Sequence, residues 1–280
     1  MGVLLSWINR LNQGTVNASA ATGLEASALL SPQINDVWRS QTWNASTVTI
    51  SATLASSFPI NVVAVAAPRD GVLPTGACTI RIKAGSSAGA STALDTSSLS
   101  FSLSPWGVWG WRSTSGVTAQ YWTIEVTGVA SNPFLDLGRL WIGPALITSR
   151  GYAFGAARGG RDPGTVSRSA LTGTRYARLG RTYRAERMTL PALTSAEATQ
   201  VEAMAAAVGA TGQVFAARSD ASLGEGIFGA FTEPPPETTT PFVPQRSAPA
   251  GETACATIAT EGLSRRVTTT ALPAASMVRP

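Results

Sequence analysis

Asn132-Pro133-Phe134-Leu135-Asp136-Leu137-Gly138-Arg139-Leu140-Trp141-Ile142-Gly143-Pro144-Ala145-Leu146-Ile147 reads as a long apolar strand that opens at a turn dipeptide. Gly138 and Gly143 interrupt it, and a strand carries glycine where it bulges or where another backbone comes close. The chain before this stretch has strand periodicity. The chain after it changes composition abruptly, starting with an arginine-rich run at Arg150. The stretch therefore closes a first domain and hands the chain to a second.

Upstream, apolar and hydroxyl side chains alternate residue by residue. Val48, Ile50, Ala52 and Leu54 fall on one face, with Thr47, Thr49, Ser51 and Thr53 on the other. Cys78, Ile80 and Ile82 alternate in the same way, as do Leu99, Phe101 and Leu103, and Trp122, Ile124 and Val126. Each is the period-two pattern of a half-buried strand. Pro59 to Ala67 is apolar at almost every position, which predicts a central strand covered on both faces. Turn residues punctuate the set at Pro68-Arg69-Asp70-Gly71, Pro74-Thr75-Gly76, Gly85 to Gly89 and Ser115-Gly116. Short strands with no helix between them predict two packed antiparallel sheets, with Val48, Ile50, Phe101, Leu103, Ile124 and Leu140 in one interior.

Composition narrows the chemistry. Charged residues are only 13% of 280, and Lys83 is the sole lysine. The formal charge of +5 is concentrated between Arg150 and Arg187, where nine arginines face Asp162 and Glu186. Such a segment suits an acidic neighbour, a solvated surface or nucleic acid. No nucleic-acid module is recognisable, so a subunit contact is the expectation. The absence of histidine removes Ser-His-Asp and Cys-His catalysis. Two cysteines, Cys78 and Cys255, cannot assemble a zinc site and read as separate buried thiols. No metal or other cofactor is expected. The carboxylates are scattered singly, and only a pair such as Asp95 and Glu125 could meet as a glycosidase requires. The expectation is no enzyme.

Leu4, Trp7, Ile8 and Leu11 have helical spacing, predicting a short docking helix in an N-terminal segment, 1–20. The segment lacks a secretory pattern, and no later run is long enough to span a bilayer. A soluble protein made in the cytoplasm is expected.

Residues 149–174 are rich in turn residues and predict a long linker or arm. Arg175, Arg178, Arg181, Arg184 and Arg187 recur at every third position, a spacing that fits no single strand or helix face. Of these, Arg175, Arg178, Arg181 and Arg184 are the candidate subunit contacts. A strand is predicted over 181–190. Thr194-Ser195-Ala196-Glu197 is a capping box that starts a helix over 195–208, stopped by Gly209. Strands follow over 213–218, 226–232 and 254–261, with a proline-rich loop from Glu233 to Pro244 and a tail over 268–280.

Two resemblances attach to these residues. Trp38-Arg39-Ser40, the alternating strands, Thr79-Ile80-Arg81-Ile82, Trp122-Thr123-Ile124-Glu125-Val126 and Leu140-Trp141-Ile142-Gly143 together resemble the galactose-binding-like (discoidin-type) jelly roll over 21–148, in the variant found on tailed-phage virion proteins. Loops at one end of such jelly rolls often bind sugars. Trp106, Trp109 and Trp111, in a Pro/Gly-rich loop, are candidates for stacking on a sugar ring or partner, against the alternative that they plug the sandwich core. The arginine/tyrosine strand, the capped helix and the short strand after it, about 175–232, are similar to the core of tail-tube and tail-tip proteins of long-tailed bacteriophages, within a tail-type β domain over 175–267. Together these imply a mainly β protein: an N-terminal jelly-roll sandwich and a small C-terminal β-sandwich with one flanking helix. The implied role is a virion subunit of the tail tip, in a ring of identical copies that joins tail tube and adsorption apparatus. The alternative is a module that binds host-surface glycan.

Overall fold

The computed structural model describes residues 2–21, 23–33, 36–43, 45–68, 71–105, 107–129, 131–152, 157–161, 165–168, 175–178, 183–190, 193–209, 211–231 and 254–259. The fold is mainly β. In the first half the strands are β1 (Leu4–Ser6), β2 (Thr15–Ala18), β3 (Trp38–Arg39), β4 (Thr47–Ala66), β5 (Cys78–Gly85), β6 (Leu94–Asp95), β7 (Leu99–Phe101), β8 (Val108–Thr127), β9 (Asp136–Leu137), β10 (Arg139–Gly143) and β11 (Leu146–Ile147). The second half adds β12 (Ala157–Arg161), β13 (Thr165–Arg168), β14 (Arg175–Arg178), β15 (Tyr183–Leu190), helix α1 (Ser195–Val208), β16 (Val214–Ala217), β17 (Ile227–Phe231) and β18 (Ala254–Ala259). Each described strand pair is antiparallel.

The first half is organised on a ribbon of two long strands, β4 and β8. Their register slips twice, between Thr53 and Phe58 and between Ile60 and Val62. At each slip one strand carries surplus residues, which bends the ribbon. The lone residue opposite each surplus closes it with an amide side chain: Gln120 Nε2 donates to the Leu54 carbonyl at 3.2 Å, and Asn61 Nδ2 to the Ser113 carbonyl at 3.1 Å. One half of the ribbon lies between β2 and β5, and the other half is flanked by β10. Inward rows from both halves meet in one interior that holds Val48, Ile50, Phe101, Leu103, Ile124 and Leu140 together, sealed by Trp38, Trp43 and Trp122. Fully burying side chains of this size contributes about 1.5–3 kcal/mol each. The Ser115-Gly116 signal marks the second slip rather than a chain reversal, and Gly116 sits there at φ +74°.

The apolar run near Val63 is covered on both sides, as its composition demands. Val63 and Val65 face the sandwich interior, whereas Val62, Ala64 and Ala66 face Leu4, Phe215 and Phe228. These last belong to a seven-stranded sheet in the order β11-β1-β16-β17-β18-β15-β12. Helix α1 covers the opposite face of that sheet, where Met204 and Val208 pack with Val3, Leu5, Met188 and Val214. Its capping box is formed, with Thr194 as N-cap and Glu197 reaching back.

Three expectations are corrected. The Met1–Leu11 stretch contains no α-helix among the described residues: Leu4–Ser6 is a strand between β11 and β16, followed by a short 3-10 helix at Arg10–Gln13. Leu4 and Leu5 are buried in clusters on opposite faces of the sheet, an arrangement that period two supplies and a helical stripe does not. The 149–174 arm includes strands β12 and β13; the glycines Gly159 and Gly160 lie on an edge strand, where their weak propensity is tolerated. Trp109 and Trp111 lie on β8, not in a loop. Trp106, Arg181, the proline-rich 233–244 and the 268–280 tail fall outside the described residues.

Candidate functional site

The two-stranded pairing of β3 with β9 places Trp38 opposite Leu137 and Arg39 opposite Asp136. Strand alternation sends Trp38 and Leu137 into the core and leaves the charged pair on the other side. Hydrogen bonds extend the pairing: Ser40 N–H donates to the Leu135 carbonyl at 2.9 Å, Leu135 N–H to Ser40 Oγ at 2.9 Å, and Trp43 N–H to the Pro133 carbonyl at 2.8 Å.

Asp136 is 0% exposed and accepts three hydrogen bonds from the described residues. Arg39 supplies two, Nε to Oδ1 at 2.7 Å and Nη2 to Oδ2 at 2.8 Å, and the Val72 N–H supplies the third at 2.8 Å. The hydrogen bond that Arg39 donates to Asp136 outweighs the effect of burial and holds the guanidinium in its charged form. The guanidinium also lies 3.9 Å from the centre of the Phe134 ring. Gripped on one edge and stacked on one face, Arg39 keeps its remaining N–H groups in a fixed direction.

Arg39 and Phe134 border a cleft of about 660 Å³ with Ser40, Gln41, Thr42 and Pro133. Gln41 and Thr42 are exposed on its rim. Because Asp136 already neutralises Arg39, the cleft offers fixed donors without net charge. It suits a neutral, hydroxyl-rich ligand better than an anion.

Of the candidate tryptophans, Trp109 and Trp111 share one face of β8 and both pack, partly buried, against the sandwich core. Trp109 Nε1 donates to the Ser100 carbonyl at 2.9 Å, and the ring meets Phe101 edge-on at 6.0 Å. Neither residue borders the Arg39 cleft. Arg175 and Arg178 lie at the two ends of β14, and Arg184 is on β15 opposite Gly160. Arg175 is exposed. Asp95 and Glu125 are each engaged by a cation: Arg81 Nε donates to Asp95 at 2.8 Å and Lys83 Nζ to Glu125 at 2.6 Å. Arg81 holds the Asp95 carboxyl down at about 2, unsuited to giving up a proton as a general acid. Cys78 is buried and burial pushes its thiol up. Among the described residues no three His, Cys, Asp or Glu gather as a metal site, and no helix is long and apolar enough to cross a membrane.

Arg39 was legible in the sequence as part of Trp-Arg, but Phe134 and Asp136 read only as strand residues. Nothing local marks Asp136 as the partner of a residue 97 positions away, or Phe134 as the ring on which that residue stacks.

No family model and no curated protein matches the chain. Solved structures do. The family 32 CBM from C. perfringens NanJ in complex with galactose is similar with TM-score 0.40 and 17% identity, covering 49% of this chain and 98% of that one. CBM32 of AlyQ in complex with 4,5-unsaturated mannuronic acid is similar with TM-score 0.38 and 20% identity over 49% of this chain and 96% of that one. A fucolectin from striped bass serum is similar with TM-score 0.41 and 11% identity over 66% of this chain and 70% of that one.

Proposed function

We propose that the first half is a saccharide-binding module that takes a neutral sugar at the Arg39 cleft, serving recognition of a host-surface glycan. The observation that carries this reading is the buried Asp136, which orients Arg39 and cancels its charge at the edge of an open cleft. Vicinal sugar hydroxyls match the spacing of the free guanidinium N–H groups. Gln41 and Thr42 supply further polar contacts, and Phe134 an apolar wall. The test is binding of the full chain to neutral monosaccharides and to host cells, comparing wild type with Phe134→Ala and Gln41→Ala. Binding lost in the folded variants supports the site; binding undiminished in both sinks it.

A second observation favours a self-associating tail-tip subunit. Strands β13 and β14 form a two-stranded ribbon that pairs with no other described strand. Such ribbons are marginal in water without a neighbour, and this one carries arginines at both ends of β14. A ring of identical subunits, with tail tube and tail-tip proteins as further partners in a virion, would supply that neighbour. Native mass measurement of wild type and of Arg175→Glu/Arg178→Glu tests this: a multimer lost in the variant supports it, and a wild-type monomer at all concentrations counts against it. Neither reading assigns catalysis to the chain.

A further inference from the structure

Arg139 differs from Arg39 in one respect that decides what it can bind. Its residue is 2% exposed. Nη1 donates to the Leu30 carbonyl at 2.6 Å and also to the Ser31 carbonyl. On the other edge, among the described residues, Nη2 donates to Asn12 Oδ1 at 3.4 Å and Nε has no hydrogen-bond partner. That Nε/Nη2 edge is the one with which Arg39 grips Asp136. No carboxylate pairs with Arg139 among the described residues. Burial alone lowers its pKa to about 10.

Capping the carbonyls of Leu30 and Ser31 needs a donor but not a charge. A neutral amide would do it without the desolvation cost of a buried cation. The charge and the unpaired Nε therefore require another account, and buried groups left unpaired are rare enough to need one.

Arg139 and Trp141 line a cleft of about 430 Å³ between the sandwich and the α1 layer, with Trp7, Asn9, Asn12 and Gln213. Asn9 is already committed, donating to the Leu140 carbonyl at 3.0 Å and accepting from Leu11 at 3.2 Å and Ile142 at 3.1 Å. Gln213 is not: its Nε2 donates to the Pro32 carbonyl, but Oε1 is buried and has no donor among the described residues. Beside the indole walls there are thus one unpaired cationic donor, Nε, next to an Nη2 held only by a long bond to Asn12, and one unpaired acceptor, Gln213 Oε1.

We infer that this cleft is a second ligand site, specific for a small carboxylate that carries a neighbouring hydroxyl. The carboxylate takes the Nε/Nη2 fork in the geometry of Asp136 on Arg39, and the hydroxyl donates to Gln213 Oε1. One cation matches one carboxylate; a doubly charged anion would remain half uncompensated.

The test is calorimetric and thermal-shift titration of the full chain with glycolate, acetate and chloride at constant ionic strength. Glycolate binds saturably, more tightly than acetate, and chloride gives no saturable response. Gln213→Glu places a carboxylate in the cleft and abolishes glycolate binding while the fold persists. Arg139→Lys keeps the charge but not the fork and weakens binding at least about tenfold, a loss of about 1.4 kcal/mol. Absence of saturable glycolate binding into the tens of millimolar, an equal response to chloride, or full binding by Gln213→Glu overturns the inference.

Discussion

Trp141 Nε1 donates to Ser6 Oγ at 2.8 Å, and the Ser6 hydroxyl in turn donates to the Pro144 carbonyl at 2.6 Å. Both side chains are buried, so the N-terminal strand is tied to the strand that closes the sandwich. Replacing Ser6 by Ala leaves a buried indole N–H unsatisfied and is expected to cost about 1–3 kcal/mol. Urea denaturation of the variant measures it; a change near zero would mean that the bridge is dispensable.

Gly143 answers to the close-approach reading of glycine in a strand. A Cβ there would stand 2.1 Å from the Ile8 carbonyl oxygen, a backbone atom that cannot swing aside. Gly143→Ala is expected to destabilise by about 1–3 kcal/mol or more through overpacking. Gly89→Ala serves as the contrast: a Cβ there meets nothing within 4 Å, and its cost is limited to the backbone strain at φ +78°. Equal denaturation midpoints for Gly143→Ala and wild type would contradict this packing.

Glu197 is buried at the start of α1, where the backbone N–H of Thr194 donates to it at 2.7 Å and the N–H of Ser149 donates as well. The Thr194 bond leads in holding its carboxyl below the ordinary value of 4.5, with burial opposing and Ser149 assisting. The folded value is depressed, so the stabilisation is complete above about 4.5 and is lost as pH falls through the folded value. Glu197→Gln should therefore flatten the acid limb of the stability profile. An unchanged acid limb would show that Glu197 does not couple the helix to the Thr148–Arg150 turn.

Trp109 tests the two meanings of a tryptophan near a sheet end. Its indole N–H and edge are committed to Ser100 and Phe101. Trp109→Phe removes one hydrogen bond, with an expected cost of about 0.5–1.5 kcal/mol, and leaves sugar affinity unchanged. A fall in affinity without a fall in stability would return the binding role to this residue.

Much of the fold was legible because burial imposes a period. The alternation from Val48 to Leu54 and the capped helix from Thr194 are local patterns, and the structure contains both. The N-terminal segment misled because Leu4, Trp7, Ile8 and Leu11 fit a helical stripe. The partners that make Leu4–Ser6 a strand, Leu146–Ile147 and Phe215–Ala217, lie far along the chain. The site was less legible than the fold for the same reason. Tryptophans are conspicuous in a sequence, whereas Arg39, Phe134 and Asp136 become a unit only when β3 meets β9.

The most direct measurement is a nuclear magnetic resonance titration of the full chain with a neutral monosaccharide panel, following arginine Nε–H and tryptophan indole N–H signals together. A sugar seated in the Arg39 cleft gives saturable shifts of the Arg39 Nε–H and of amides near Phe134 and Gln41, with the indole signals of Trp109 and Trp111 unmoved. Saturable shifts confined to those indoles, or no saturable shift with any sugar, would contradict it.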